Sequence, residues 1–303
     1  MIGSTLPVLS QRTHVAGLSS RGLEPAEVPH PGRVLAIIQS LSLDVALGVL
    51  CSGAYAASAT GVQPPWVWWG LLPAMTWAIY SVDHLRDGQL LGSGTRDFRH
   101  LFCFQHRWKV SAATLAVSIA CALTALQYLE LRLWLVGGML AILAWVHLTF
   151  PVRGRLLPKE LTAAAIYTAG IWFVPIMGAA ELDPWIWALV GLHFLAALAN
   201  LVVFSLFALP IDHCDGQASI VRSYGARRVR LALGWVTVVG ATAALALVTL
   251  GPARYLDHAI VVLLLVVTPG LMDVFRSKLV IHARFRTLGD LSFVIMAIPW
   301  FMR

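Results

Sequence analysis

The sequence predicts an all-α polytopic membrane protein of about nine transmembrane helices, and three observations predict it. Of its 303 residues, 58% are hydrophobic and only 12% are charged, whereas a soluble domain carries about 25% charged residues. The apolar residues fall in long blocks, with a mean hydropathy of +0.76, the pattern of bilayer-spanning helices. The Lys and Arg residues gather on one side of the layout that those blocks imply.

The blocks lie near 34–58, 66–82, 109–128, 133–150, 161–179, 185–209, 229–250, 257–273 and 288–302. Most approach the ~20 residues needed to cross a hydrocarbon core. Pro73, Pro175, Pro269 and Pro299 fall inside blocks, where a missing N–H kinks a helix. Trp66, Trp68, Trp69, Trp108, Trp134, Trp185 and Trp187 stand at block ends, as interfacial aromatics do.

With nine spans, one side receives the segment before the first block and the loops 83–108, 151–160, 210–228 and 274–287, with the adjoining helix ends. That side carries every Lys and Arg except Arg132, Arg254 and Arg303. The positive-inside rule then puts the N-terminus in the cytoplasm and the C-terminus outside, and it requires an odd number of spans. The first 33 residues are polar and rich in Pro, Gly and Ser, with no basic-then-apolar leader pattern. They are expected to be a flexible cytoplasmic tail ahead of one membrane domain over 34–303, in a bacterial inner membrane.

The formal charge of +7 and a pI of about 9.6 would suggest nucleic acid in a soluble chain. Here the basic residues occupy loops between apolar blocks, and topology accounts for them; no nucleic-acid motif is present. Cys51, Cys103, Cys121 and Cys214 form no CxxC pair and imply no disulfide framework.

The chemistry lies in a pattern used twice. The second block ends in Tyr80-Ser81-Val82-Asp83-His84-Leu85-Arg86-Asp87-Gly88-Gln89, the sixth in Pro210-Ile211-Asp212-His213-Cys214-Asp215-Gly216-Gln217. Asp83 and Asp87 are four residues apart, Asp212 and Asp215 three, so on a helix each pair shares a face. Acids placed together repel unless a cation sits between them. Carboxylates at the end of a membrane helix are costly and usually functional. Their hard oxygens suit Mg²⁺, which bridges protein carboxylates to substrate phosphates. Arg86, Arg153, Lys159 and Arg222 lie in or beside the same loops, with the donors that phosphate oxygens need.

These features resemble the UbiA-type membrane prenyltransferase superfamily, whose Asp-rich motifs follow helices two and six. The likeness covers nearly all of 34–302. Val152-Arg153-Gly154-Arg155-Leu156-Leu157-Pro158-Lys159-Glu160 resembles the family's basic loop before helix five, Tyr167-Thr168-Ala169-Gly170 a stretch within helix five, and Ser223-Tyr224-Gly225 the ending after the second motif. Two departures stand out. Ile79-Tyr80 occupies the place of the family's Asn-Asp, and the second motif is one residue short, with Gly216 at an acid position.

The resemblance implies nine helices around a central cavity. It also implies Mg²⁺-dependent transfer of an isoprenyl group from its diphosphate to a lipid-soluble acceptor held in the membrane. Asp83, Asp87, Asp212 and Asp215 would hold the metal; Arg86, Arg153, Lys159 and Arg222 would hold the diphosphate. Tyr80, Tyr167, Trp172 and Phe204 would line a dry cavity and face the cation. Asp44, an acid inside the first block, would face it too. The alternatives are a non-catalytic protein of the same fold or a transporter, which the degenerate motifs favour, and a His/Asp iron oxidase of the membrane, suggested by His84, His100, His106 and His213.

Overall fold

The computed structural model describes residues 33–149 and 158–302. The expected tail before Arg33 and most of the basic loop, Arg153 included, lie outside the described residues. The described chain is a series of helices: α1 (Arg33–Ser40), α2 (Leu43–Thr60), α3 (Trp68–Leu91), α4 (Phe98–Gln105), α5 (Arg107–Tyr128), α6 (Leu131–Thr149), α7 (Lys159–Gly178), α8 (Pro184–Cys214), α9 (Ile220–Tyr224), α10 (Ala226–Leu250), α11 (Leu256–Val274), α12 (Arg276–Leu279), α13 (Arg284–Ser292) and α14 (Ile298–Phe301). No strand occurs among the described residues.

Local chemistry fixes the helix ends. Asp183 caps α8 by accepting the Trp185 N–H at 3.0 Å, with Pro184 at the first helical position, where its missing N–H costs nothing. Gly61 closes α2 at φ 70°, its N–H bonding back to Ala57 and Ser58 carbonyls, the left-handed ending that glycine favours.

Among the described residues, seven helices are long and apolar enough to cross a membrane: α2, α5, α6, α7, α8, α10, and α11 with the 3-10 turn before it. α3 is as long but more polar. The last apolar block, 288–302, is not one α-helix: α13, a 3-10 stretch over Phe293–Ala297 and α14 follow end to end. This C-terminal rod runs along α2. Gln39 donates to Thr287 at 3.1 Å, Gly48 abuts Phe293, and Ser52 donates to Met296 sulfur at 3.2 Å. Both numbers rise together, so the first and last rods are parallel.

α2, α8 and α11 are buried along half or more of their length, and α5, α6 and α10 lie on the periphery. The core gathers Tyr55, Trp68, Trp172, Leu189 and Leu265. A second cluster, with Leu206, Phe207, Val229 and Phe285, ties the end of α8 to α9, α10 and α13.

Pro73, Pro175 and Pro269 lie inside helices, as expected. Pro299 instead opens α14, because the rod is already broken there. α8 continues through Pro210 to Cys214, five residues beyond its apolar block. Pro210 has no N–H for the Leu206 carbonyl one turn back, and Arg276 Nη2 donates to that carbonyl at 2.6 Å. A 31-residue helix is about 46 Å long, against a hydrocarbon core of about 30 Å. α8 is thus longer than such a core needs, and its end, like that of the 24-residue α3, carries the acids.

Candidate functional site

Asp83 and Asp87 lie one turn apart near the end of α3; Asp212 lies in the last turn of α8, with Asp215 as its C-cap. The loops that follow the two helices interlock. Asp215 accepts the Thr95 hydroxyl at 2.8 Å and the Arg96 N–H at 3.2 Å, so the second motif holds the loop of the first. Asp87 lies 3.8 Å from His100 Nε2. Lys159, at the start of α7, acts electrostatically on both Asp87 and Asp212.

The Asp-Gly-Gln pattern serves two different local purposes. At Gly88 a Cβ would stand 2.6 Å from the His100 carbonyl, so the missing side chain lets α4 lie directly on α3. Gly216 has φ 69°, a left-handed turn that ends the chain's run along α8.

Two of the expected phosphate ligands are committed to carbonyls. Arg86 donates to the Leu148 carbonyl in the last turn of α6. Arg222 donates to the carbonyls of Asp212, at 3.3 Å, and of Gln217, bracing the second motif.

Sequence reasoning missed the strongest polar network at this end. Asp97 caps α4 and takes three side-chain bonds: from Arg99 Nε at 3.2 Å, Arg99 Nη2 at 2.9 Å and Arg286 Nη2 at 3.0 Å. Burial alone would raise the Asp97 carboxyl, but the two guanidiniums hold it well below the usual carboxylate range. Burial lowers His100, whose ring lies 5.6 Å from that of His84. The network joins α4 to α13, and no local spacing signals it. Glu160 likewise ties three elements, accepting from Ser205 at 2.8 Å and from the Ile220 N–H at 3.0 Å.

Between these loops and the bundle interior lies a cavity lined by Gly48, Tyr80, Tyr167, Asn200, Asp290 and Phe293 among others. Tyr80 and Tyr167 stand where they were expected. Trp172 and Phe204 do not line it: Trp172 is buried in the core, donating to His193 Nδ1 at 2.9 Å, and Phe204 packs on Phe285 and over Gly289. Asp44, expected to face the cavity, is not among the residues that line it: it lies in the first turn of α2, one turn before the lining Gly48, where it accepts the Val45 N–H at 3.0 Å.

The hard oxygens of Asp83, Asp87 and Asp212 suit a magnesium ion, which needs only one or two protein carboxylates beside phosphate oxygens and water. Among the described residues, no three His, Cys, Asp or Glu side chains are grouped so that they could hold a metal ion together. Asp215 is already engaged by Thr95 and Arg96.

No family model matches the sequence, and no curated protein is significantly similar to it. Among solved structures, the chain is similar to a UbiA homologue from Archaeoglobus fulgidus bound to GPP and Mg²⁺, with a TM-score of 0.59 and 13% identity over 88% of this chain and 99% of that one. It is similar also to a UbiA homologue from the same organism bound to DMAPP and Mg²⁺, with a TM-score of 0.55 and 12% identity over 89% of this chain and 99% of that one. At that identity the likeness concerns the fold, and the chain has the fold of the UbiA-type prenyltransferases.

Proposed function

We propose that this protein binds an isoprenyl diphosphate at the mouth of its cavity and transfers the isoprenyl group to a lipid-soluble acceptor held in the membrane. The observation that carries the proposal is the interlocked pair of acid motifs, Asp215 of the second accepting from Thr95 and Arg96 in the loop of the first. The neighbours' ligands, GPP and DMAPP with Mg²⁺, support the substrate class.

Asp83 and Asp87 of the first motif and Asp212 of the second are the acids that would offer Mg²⁺ the one or two carboxylates it needs beside phosphate oxygens, and the ion would supply charge neutralisation on a leaving diphosphate. Lys159 offers a charge-assisted hydrogen bond to the same group, worth about 1.5–3 kcal/mol. Asp215 and Arg222 hold the second loop in place. The apolar end of the cavity, with Phe293 and the ring of Tyr167, excludes the water that would capture an allylic cation. We place the motif-bearing end in the cytoplasm of a bacterial inner membrane, on the Lys and Arg distribution.

The test is binding of a non-hydrolysable isoprenyl thiodiphosphate to purified protein, with and without Mg²⁺, for the wild type, Asp83→Ala and Asp212→Ala. The expected result is Mg²⁺-dependent binding lost in both variants. No binding by the wild type at any Mg²⁺ concentration sinks the reading. A second reading, diphosphate binding without transfer, is favoured by Ile79 and Gly216 at two family acid or amide positions. It predicts the same binding, with no diphosphate release from a hydrolysable donor supplied with any acceptor.

A further inference from the structure

Charge is spread unevenly around the end of the bundle that carries the acid motifs. The motif-bearing segments 83–109, 158–160 and 210–218 hold six Lys and Arg residues and six acids. The segments 219–233 and 270–288 hold eight Lys and Arg residues and one acid, Asp273. A preference for one side of the membrane does not account for a bias around its rim. Half of the eight are committed within the protein. Arg222 and Arg276 donate to carbonyls, Arg230 pairs with Asp273 at 3.4 Å, and Arg286 pairs with Asp97. The other four, Arg227, Arg228, Lys278 and Arg284, are exposed, and among the described residues none of them forms an ion pair.

These four belong to one packed corner. Val229 beside Arg228, and Ala283 and Phe285 on either side of Arg284, share a buried cluster with Met272 of α11, and Leu279 beside Lys278 packs against it. The corner lies where two of the helices able to cross the membrane end. Arg227 and Arg228 are in the first turn of α10, and Lys278 follows the last residue of α11 by four positions. Apolar side chains stand open among the cations. Phe275 is 51% exposed and Ile281 50%, and the Lys278 ammonium lies 5.9 Å from the centre of the Phe275 ring.

We propose that this corner, made by the start of α10, α12 and the start of α13, binds anionic phospholipid at the membrane surface. Arg227, Arg228, Lys278 and Arg284 meet the headgroups, and Phe275 and Ile281 sit among the acyl chains beneath them. Anionic lipid fits both halves of the surface: basic clusters beside a membrane helix attract anionic headgroups, and the apolar side chains leave water when they enter the bilayer. A soluble polyanion would meet the cations and leave Phe275 and Ile281 wet. A lipid without net charge would cover the apolar groups and leave four cations without counter-charge. The site shares no residue with the acid motifs, and the inference goes beyond the prenyl-transfer reading without depending on it.

Lipid retention by the full chain tests this. The purified protein is exchanged into detergent micelles holding equal amounts of phosphatidylglycerol and phosphatidylcholine with the same acyl chains, and the lipids that stay with it are counted by native mass spectrometry. The wild type should retain phosphatidylglycerol in preference, and about 1 M salt, which cuts the screening length to about 3 Å, should abolish the preference. Arg227→Gln with Arg228→Gln, and Lys278→Gln with Arg284→Gln, should each lower it about tenfold. Arg227→Lys with Arg228→Lys keeps the charge and should keep the preference, which guards against loss by misfolding. Arg107→Gln with Lys109→Gln removes two exposed charges from the first turn of α5, on the balanced part of the rim, and should leave the preference unchanged. Equal retention of the two lipids by the wild type overturns the proposal. An equal loss in the Arg107 and Lys109 variant overturns its assignment to this corner. Displacement of the lipid by millimolar glycerol phosphate, a headgroup without chains, overturns the bilayer lipid as the occupant.

Discussion

Arg286 reaches back 189 positions along the chain to donate a 3.0 Å hydrogen bond to Asp97 Oδ2. One buried bond thus fastens the loop that follows the first acid motif to the last helical rod.

Asp97→Asn leaves Arg286 and Arg99 without their counter-charge, and loss of one partner of a buried ion pair costs about 3–5 kcal/mol. The expected outcome is a clear fall in thermal stability of the detergent-solubilised protein. Because the folded Asp97 carboxyl is held below its unfolded value, its contribution is present above the unfolded carboxyl's value of about 3.9 and is lost as pH falls towards the lowered one. The gap between wild type and variant should therefore close on acidification below about pH 4. A gap that is constant from neutral pH to acid would refute the ion-pair account.

Lys159→Gln and Arg86→Ala should behave differently, although the sequence assigns both to phosphate. Lys159 acts electrostatically on an acid of each motif, and its loss should weaken Mg²⁺-dependent thiodiphosphate binding about tenfold, or about 1.4 kcal/mol. Arg86 is committed to the Leu148 carbonyl, and its loss should lower stability with little effect on affinity. Titration calorimetry on both variants decides between them.

Gly88→Ala puts a methyl group 2.6 Å from the His100 carbonyl, a backbone atom that cannot rotate away. Overpacking of this kind costs about 1–3 kcal/mol. The displacement of α4 should appear as faster hydrogen exchange over Phe98–Gln105, while helices remote from it, such as α10, keep their protection.

Trp172→Phe removes the donor that His193 Nδ1 accepts at 2.9 Å. His193 Nε2 already has no partner among the described residues, so the variant leaves both ring nitrogens without one in a fully buried site. A loss of about 1–3 kcal/mol follows, read as a lower melting temperature. An unchanged melting temperature would show that the ring is satisfied in some other way.

Periodic and local features were legible in the sequence. The apolar blocks give the long helices, and the i, i+4 spacing of Asp83 and Asp87 survives because both stay on α3. Asp44 was recognised as an acid inside an apolar block. Asp290, two residues into the last block, carries the same signal. What the sequence hid is pairwise and distant. Nothing near Asp97 indicates that Arg286 will meet it, and nothing near Asn200 indicates that Gly289 will leave its amide room. Arg86 and Arg222 have the composition of phosphate ligands but are drawn to helix-end carbonyls, which hydrogen bonding must satisfy first.

The parallel course of α2 and the C-terminal rod sets the order in which the molecule can be completed. During synthesis the first helix enters the bilayer with Asp44 exposed to whatever surrounds it. The segment that covers it arrives last, since Ser52 and its partner Met296 are 244 residues apart. Until then one side of the bundle is an open seam. A chain interrupted before the final rod would leave a carboxyl, a half-built cavity and the unfastened Asp97 loop facing lipid together, and so would present quality-control proteases with a clear mark of incompleteness.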